Sequence, residues 1–366
     1  MTTVKISQSA KRVLDDLFSR AVFLIVFSII GKLMASDNPE KELLASTAYW
    51  IAAVRAHESE QIDRLFDDPW AALLAGQVGQ NWLDCMATIL ARFAHMSQDY
   101  SISLHWGKPG QVWGHPTLRF TTTLPENLPD VLARLEEMPT ELSIVIRTKF
   151  FDDFLLQATR EYHIPQIVIL ASGMDTRAFR LMWPMHTRFF EIDQSEVLLH
   201  KRQVLSSVGA SPNCWRRSIG ADLLKGTWSG TLLRTGFDPH QTSVWLIEGL
   251  LPYLPESAVS LLFDKVTALS SPGSRLGFTT MNHDMLTSPL THFWVESMEE
   301  MGIPLLSAMN EPEALLAEYG WSATVTQLGE DRANFGRYPY PVVPRSVPNF
   351  PRGWLVTAIK RSSVRS

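Results

Sequence analysis

Two runs decide how this chain folds: Gln166-Ile167-Val168-Ile169-Leu170-Ala171-Ser172-Gly173-Met174-Asp175-Thr176-Arg177 and, one crossover later, Phe189-Phe190-Glu191-Ile192-Asp193. A short β-branched apolar run that ends in a small-residue turn reads as a buried strand feeding a helix. The second strand ends in an acid. In open α/β sheets this pairing grips a nucleotide-like ligand, the glycine letting the backbone come close and the acid accepting ribose hydroxyls.

Working outward, strands are expected at 166–171, 188–192, 216–219, 243–247, 275–281, 322–327 and 353–359. Helices fit between them at 194–207, with Val197, Leu198 and Val204, and at 256–270, with Val259, Leu262, Val266 and Leu269 at helical spacing. Only a loop containing Pro339, Pro341, Pro344, Pro348 and Pro351 separates the last two strands. That pair is therefore expected to be antiparallel, because a parallel return needs a crossover. The segment 283–320 is longer than a crossover needs, and its Phe293, Trp294, Met298, Met301 and Met309 suit either a lid over the pocket or an ordinary packed helix pair. Before residue 140 the readable segments are mostly helical, and 97–125 reads as irregular or hairpin structure. The expected organisation is a helical N-terminal cap over 1–139 and an α/β core over 140–366.

The chain has 366 residues, 45% apolar and 19% charged, so it is globular and has ample core to bury. A net charge of -5 and the absence of any Lys/Arg run argue against nucleic acid as a partner. Cys85 and Cys214 make neither a disulfide framework nor a metal quartet, no Cys/His cluster has ligand spacing, and a cytoplasmic location is expected. The apolar run Ala21–Gly31 is, at about eleven residues, too short to span a bilayer, which needs roughly 20. It suits a buried or partner-facing helix, including a homodimer contact, with a membrane-surface or targeting role as the alternative.

Four positions fall in order at the carboxyl ends of successive expected strands: Gly173, Asp193, Asp222 and Glu248. Ligands of open α/β sheets bind in the crevice outside those ends. A dinucleotide would need a Gly-x-Gly-x-x-Gly turn whose amides carry the pyrophosphate. Here the turn has one glycine, and Asp175 would repel phosphate. A cofactor with a cationic amino-acid tail, S-adenosylmethionine, suits that acid.

The same segments, with Gly220-Ala221-Asp222-Leu223-Leu224 and Trp245–Leu254, resemble the leucine carboxyl methyltransferase family. Arg147–Phe154 is similar to that family's helix before the first strand, and Ala48–Ala56 followed by Phe66–Trp70 to its N-terminal signature. The likeness covers roughly 45–76 and 143–360. It implies a Rossmann-like seven-stranded class I methyltransferase sheet with an antiparallel last strand, S-adenosyl-L-methionine as cofactor and S-adenosyl-L-homocysteine as product. By the same likeness Arg147 pairs with the methionine carboxylate, Gly173 gives backbone access, and Asp193 accepts the ribose hydroxyls. Asp222 and Leu223 hold the adenine, and Glu248 sits near the methionine amino group. One position departs from the family, whose turn reads Gly-Ala-Gly or Gly-Ser-Gly: Ala171 replaces the first glycine. Alanine is awkward there if the backbone needs positive φ and harmless if the strand simply ends extended.

Each of these residues also has a bland reading: Arg147 bridging Asp152 or Asp153, Asp193 capping the next helix, Asp222 as a turn residue, Glu248 as a structural acceptor. Methyl transfer from a sulfonium is an in-line displacement, so the protein's main task is alignment. A carboxylate acceptor of a small molecule, natural-product intermediate or peptide is already ionised and needs no base. A hydroxyl or phenol acceptor of secondary metabolism, the alternative, calls for one, and His57, His283 and Glu58 are the candidates. Tyr253, just beyond the strand that delivers Glu248, is the candidate catalytic residue that orients the acceptor oxygen. A cofactor-binding protein without catalysis and a nicotinamide oxidoreductase are the remaining alternatives.

Overall fold

The computed structural model describes residues 39–83, 140–288, 290–300, 302–339 and 341–362. The segments 21–31 and 97–125 and Cys85 lie outside the described residues. In chain order the elements are α1 (Pro39–Glu60), α2 (71–83), α3 (Thr140–Arg160), β1 (Gln166–Leu170), α4 (Arg177–Arg180), β2 (Arg188–Asp193) and α5 (Ser195–Ser207). They continue with β3 (Trp215–Gly220), α6 (Trp228–Arg234), β4 (Ser243–Ile247), a 3-10 turn Leu251–Tyr253, α7 (Glu256–Ala268) and β5 (Arg275–Met281). Last come α8 (Asp284–Thr287), α9 (His292–Glu300), α10 (Pro312–Glu318), β6 (Trp321–Gln327) and β7 (Gly353–Lys360).

The strands form one seven-stranded sheet in the order β3-β2-β1-β4-β5-β7-β6. β1 pairs in parallel with both β2 and β4, and β7 runs antiparallel between β5 and β6, as the missing crossover requires. β1 and β4 are buried at every position, the mark of strands covered on both faces. Side chains alternate with period two. Ile167, Ile169, Val244 and Leu246 join one apolar layer with α1, α3 and Phe189, while Val168, Leu170, Trp245 and Ile247 join the other with α6, α7 and Phe190.

α1 belongs to the first layer through Trp50, Ala53 and Val54. α3 lies against β5, where Gly277 admits Phe151 and Phe154: a Cβ on Gly277 would sit 2.9 Å from Phe154 Cε1 and 3.0 Å from Phe151 Cε1. Strand order reverses between β1 and β4, so the switch-point crevice opens at the carboxyl ends of these two strands. Among the described residues no helix is long and apolar enough to cross a membrane.

Candidate functional site

A cavity of about 420 Å³ occupies that crevice, within the range of small-molecule sites. Its wall contains the residues expected to hold the cofactor and the candidate catalytic tyrosine: Arg147 from α3, Gly173 after β1, Asp193 at the end of β2, Asp222 and Leu223 after β3, Glu248 after β4 and Tyr253 in the following 3-10 turn. α1 contributes Thr47, Ala48, Ile51 and Arg55, and α9 contributes Trp294. None of His57, His283 and Glu58 lines it. His57 and His283 are exposed. Glu58 is buried, accepting from the Leu65 amide at 2.6 Å and from Arg337 at 3.1 Å.

The turn after β1 is tighter than an extended strand end. Ala171 has φ +53° and Gly173 φ +43°, so the awkward case foreseen for Ala171 is the one the chain adopts. The turn is fastened to β2: the Gly173 amide donates to Asp193 Oδ2 at 2.6 Å, while Asp193 Oδ1 accepts from the Gln194 amide at 2.6 Å. Burial pushes the Asp193 carboxyl above its usual range even though these two amides oppose it. A Cβ on Gly173 would lie 2.9 Å from the Ala48 Cβ, so α1 closes directly on the turn. Asp222 both lines the cavity and accepts the Leu224 amide at 3.0 Å, which makes it a turn residue and a wall residue together.

Beneath the turn lies a network of charges. Arg147 Nε donates to Glu248 Oε1 at 2.7 Å, and Arg177 Nη1 donates to Glu248 Oε2 at 2.9 Å and to Asp175 Oδ2 at 2.5 Å. Arg147 therefore does not bridge Asp152 or Asp153: Asp152 takes Arg177 and Arg180, and Lys149 takes Asp153. Arg55 Nε donates to Asp68 Oδ2 at 2.8 Å and its Nη2 to the Met174 carbonyl at 2.6 Å, tying α1 to the same turn. Burial would raise the carboxyls of Asp175 and Glu248. The neighbouring guanidiniums outweigh it, with Lys201 helping at Asp175, and hold Glu248 below its ordinary value and Asp175 at about 2. Burial pushes the Tyr253 phenol up against the pull of Arg147.

Sequence reasoning missed Arg55, Asp68, Asp152, Arg177 and Arg180. The available signal was a charged pair, Asp175 and Arg177, inside a turn that the flanking apolar strand carries into the interior. Four polar atoms of wall residues, Ser172 Oγ, Thr280 Oγ1, Trp50 Nε1 and Arg180 Nε, are buried without a hydrogen-bond partner among the described residues. Orphaned buried groups around a crevice are what a polar ligand would satisfy.

A sheet of this order with its last strand reversed, and a switch-point cavity whose turn carries Asp175 instead of a run of phosphate-binding glycines, is the arrangement of the class I S-adenosyl-L-methionine-dependent methyltransferases. Within that class the leucine carboxyl methyltransferase family matches residues 48–267, and the chain belongs to that family. A Mycolicibacterium gilvum protein named as a putative S-adenosyl-L-methionine-dependent methyltransferase is 38% identical over 70% of this chain and 72% of its own length. Similarly named proteins of Frankia alni and Streptomyces avermitilis are each 34% identical, over 89% and 86% of this chain and 98% and 95% of their own lengths. Among solved structures, one titled as a putative methyltransferase of Thermobifida fusca overlays with a TM-score of 0.45 at 19% identity, covering 64% of this chain and 88% of that one. The chain is an S-adenosyl-L-methionine-dependent methyltransferase, and the cavity wall, with its charged side chains and orphaned buried polar atoms, is chemically compatible with that charged, polar cofactor.

Proposed function

We propose that the protein methylates a carboxylate on an apolar small molecule or peptide. The observation that carries this reading is the state of the cavity's titratable groups. No histidine lines the wall among the described residues, and every carboxylate there is already engaged: Asp175 and Glu248 by arginines, Asp193 by two amides, Asp222 by the Leu224 amide. A hydroxyl acceptor would find no free base, whereas a carboxylate needs none at neutral pH.

S-adenosyl-L-methionine supplies an electrophilic methyl group. In this reading Arg147, whose Nη donors have no protein partner among the described residues, takes the methionine carboxylate in a bidentate contact. Glu248 faces the amino group, Asp193 accepts the ribose hydroxyls, Gly173 lets the backbone come close, and Asp222 with Leu223 holds the adenine. Tyr253 orients the acceptor oxygen. An apolar part of the wall, with Ile51, Met281, Trp294, Leu328, Trp354 and Leu355, would seat the body of the acceptor and keep water away. α1 and the helices of 283–320 serve as its cover.

The test is a matched panel of hydrophobic carboxylic acids and the corresponding alcohols and phenols, incubated with labelled S-adenosyl-L-methionine. Base-labile methyl esters are expected, formed at a rate flat across pH 6–8 once the acid is ionised. Stable methyl ethers from the phenols, with no ester from any acid, would overturn the reading.

A further inference from the structure

Arg177 has a place in this site that its position in the sequence does not announce. Its side chain is 4% exposed, and every nitrogen of its guanidinium is engaged. Nε donates to Asp152 Oδ1 at 2.7 Å, Nη2 to the Thr148 carbonyl at 3.3 Å, and Nη1 to both Asp175 Oδ2 and Glu248 Oε2, at 2.5 and 2.9 Å. Its backbone amide donates to the other oxygen of Asp175 at 2.7 Å. One residue therefore joins α3, the turn after β1 and the end of β4, and a single nitrogen bridges two carboxylates that both line the cavity.

Two carboxylates converging on one cavity repel each other, and unaided one of them would take up a proton. A guanidinium between them removes that penalty and fixes where they point, because its planar fork allows little play. It leaves lone pairs on both acids for a further donor, and an ammonium with three N–H groups is the donor that matches two adjacent carboxylates. We propose that Arg177 is a positioning residue of the donor site: one guanidinium orients Glu248 and Asp175 together as a paired-carboxylate seat for the cofactor's ammonium. This rests on the reading of Glu248 as the partner of the amino group, and adds Asp175 to that contact and Arg177 behind both.

The charged and titratable groups around the seat are Arg147 and Asp152 from α3, Arg180 from α4, Arg55 from α1, Asp193 from β2, Tyr253 from the 3-10 turn and Lys201 from α5, which acts on Asp175. With Arg177 removed, Glu248 keeps only Arg147 as a direct cationic partner. Its protonation then moves upward towards neutral pH, and the seat is lost as pH falls through that value. In the wild type both acids stay ionised throughout that window.

Affinity for S-adenosyl-L-homocysteine, measured by calorimetry from pH 8 to pH 5.5, tests the proposal on wild type, Arg177→Lys, Arg177→Gln, Glu248→Gln and the Arg177→Lys/Glu248→Gln double variant. Leu232→Ala, a core truncation away from the cavity, controls for lost stability. Arg177→Lys keeps the charge but not the fork. It is expected to weaken binding at least about tenfold when Glu248 is present and less than about threefold in the Glu248→Gln background, since residues acting as one unit are not additive. Arg177→Gln is expected to bind progressively more weakly as pH falls, while wild type and Leu232→Ala stay flat; if glutamine prevents folding, the lysine cycle decides alone. Additive effects of Arg177→Lys and Glu248→Gln, or wild-type affinity in Arg177→Lys, would overturn the role of Arg177. Wild-type affinity in Glu248→Gln would instead overturn the underlying assignment of Glu248, and this proposal with it.

Discussion

Ala171 sits at φ +53°, where its Cβ crowds the backbone at a cost of about 1–2 kcal/mol. Glycine would remove that cost but return about 0.4–1 kcal/mol of chain entropy to the unfolded state. Ala171→Gly is therefore expected to raise stability by up to about 1.5 kcal/mol in urea unfolding, and a lower midpoint would mean the turn is not strained. Tyr253 is the residue whose chemistry is read from position. Tyr253→Phe is expected to lower kcat about tenfold or more, the scale of one hydrogen bond to a charged group, with S-adenosyl-L-homocysteine affinity within a few-fold. Full activity would remove the hydroxyl from the reaction. At this scale Gly173, Asp193, Asp222 and Glu248 were legible as crevice residues, because strand ends place them there. It hid the pairing of Arg177 with Glu248, 71 positions apart, since nothing local fixes a contact of that separation.

Gly277 shows how one element depends on another. α3 reaches the sheet only because this position of β5 lacks a side chain, and α3 carries Arg147 into the cavity. Gly277→Val would force Phe151 and Phe154 outward, costing about 1–3 kcal/mol of overpacking. The displaced helix is expected to weaken cofactor binding as well, by calorimetry, whereas an unchanged affinity would mean that α3 holds its place by other contacts. Strands were legible nearly to the residue because apolar runs bounded by turn residues carry their own signal. The proline-rich loop before residue 353 likewise announced the reversed strand, by leaving no room for a crossover. The short helices α6, α8 and α10 were not singled out: at four to seven residues they span at most two turns, too few for a periodicity to show.

Taken as a whole, the molecule carries a buried ionic seam that runs from Arg55 and Asp68 through Arg180, Asp152, Arg177 and Asp175 to Glu248 and Arg147. Four cations face four anions, so the seam is neutral when all are ionised. Asp175 has its folded pKa depressed to about 2, below the ordinary aspartate value of about 3.9, and Glu248 is depressed in the same direction. Their contribution is complete above the unfolded values and disappears as pH falls through the folded ones. Thermal midpoints are thus expected to hold from pH 7 to about 5 and drop steeply below about pH 4. In Asp175→Asn the drop should be shallower from a lower start, and an identical acid profile would take Asp175 out of the seam's pH response.

The placement of β7 also bears on how the protein is made. Gly353–Lys360 lies between β5 and β6, is the only strand partner of β6 among the described residues, and lends Gly353, Trp354 and Leu355 to the cavity wall. A nascent chain that has not yet delivered residue 353 therefore has a free strand edge and an open crevice, however well its first five strands have paired. Ability to hold cofactor then marks a chain that has extended through β7, and one stopped before it is left with the exposed edge that proteases and aggregation exploit.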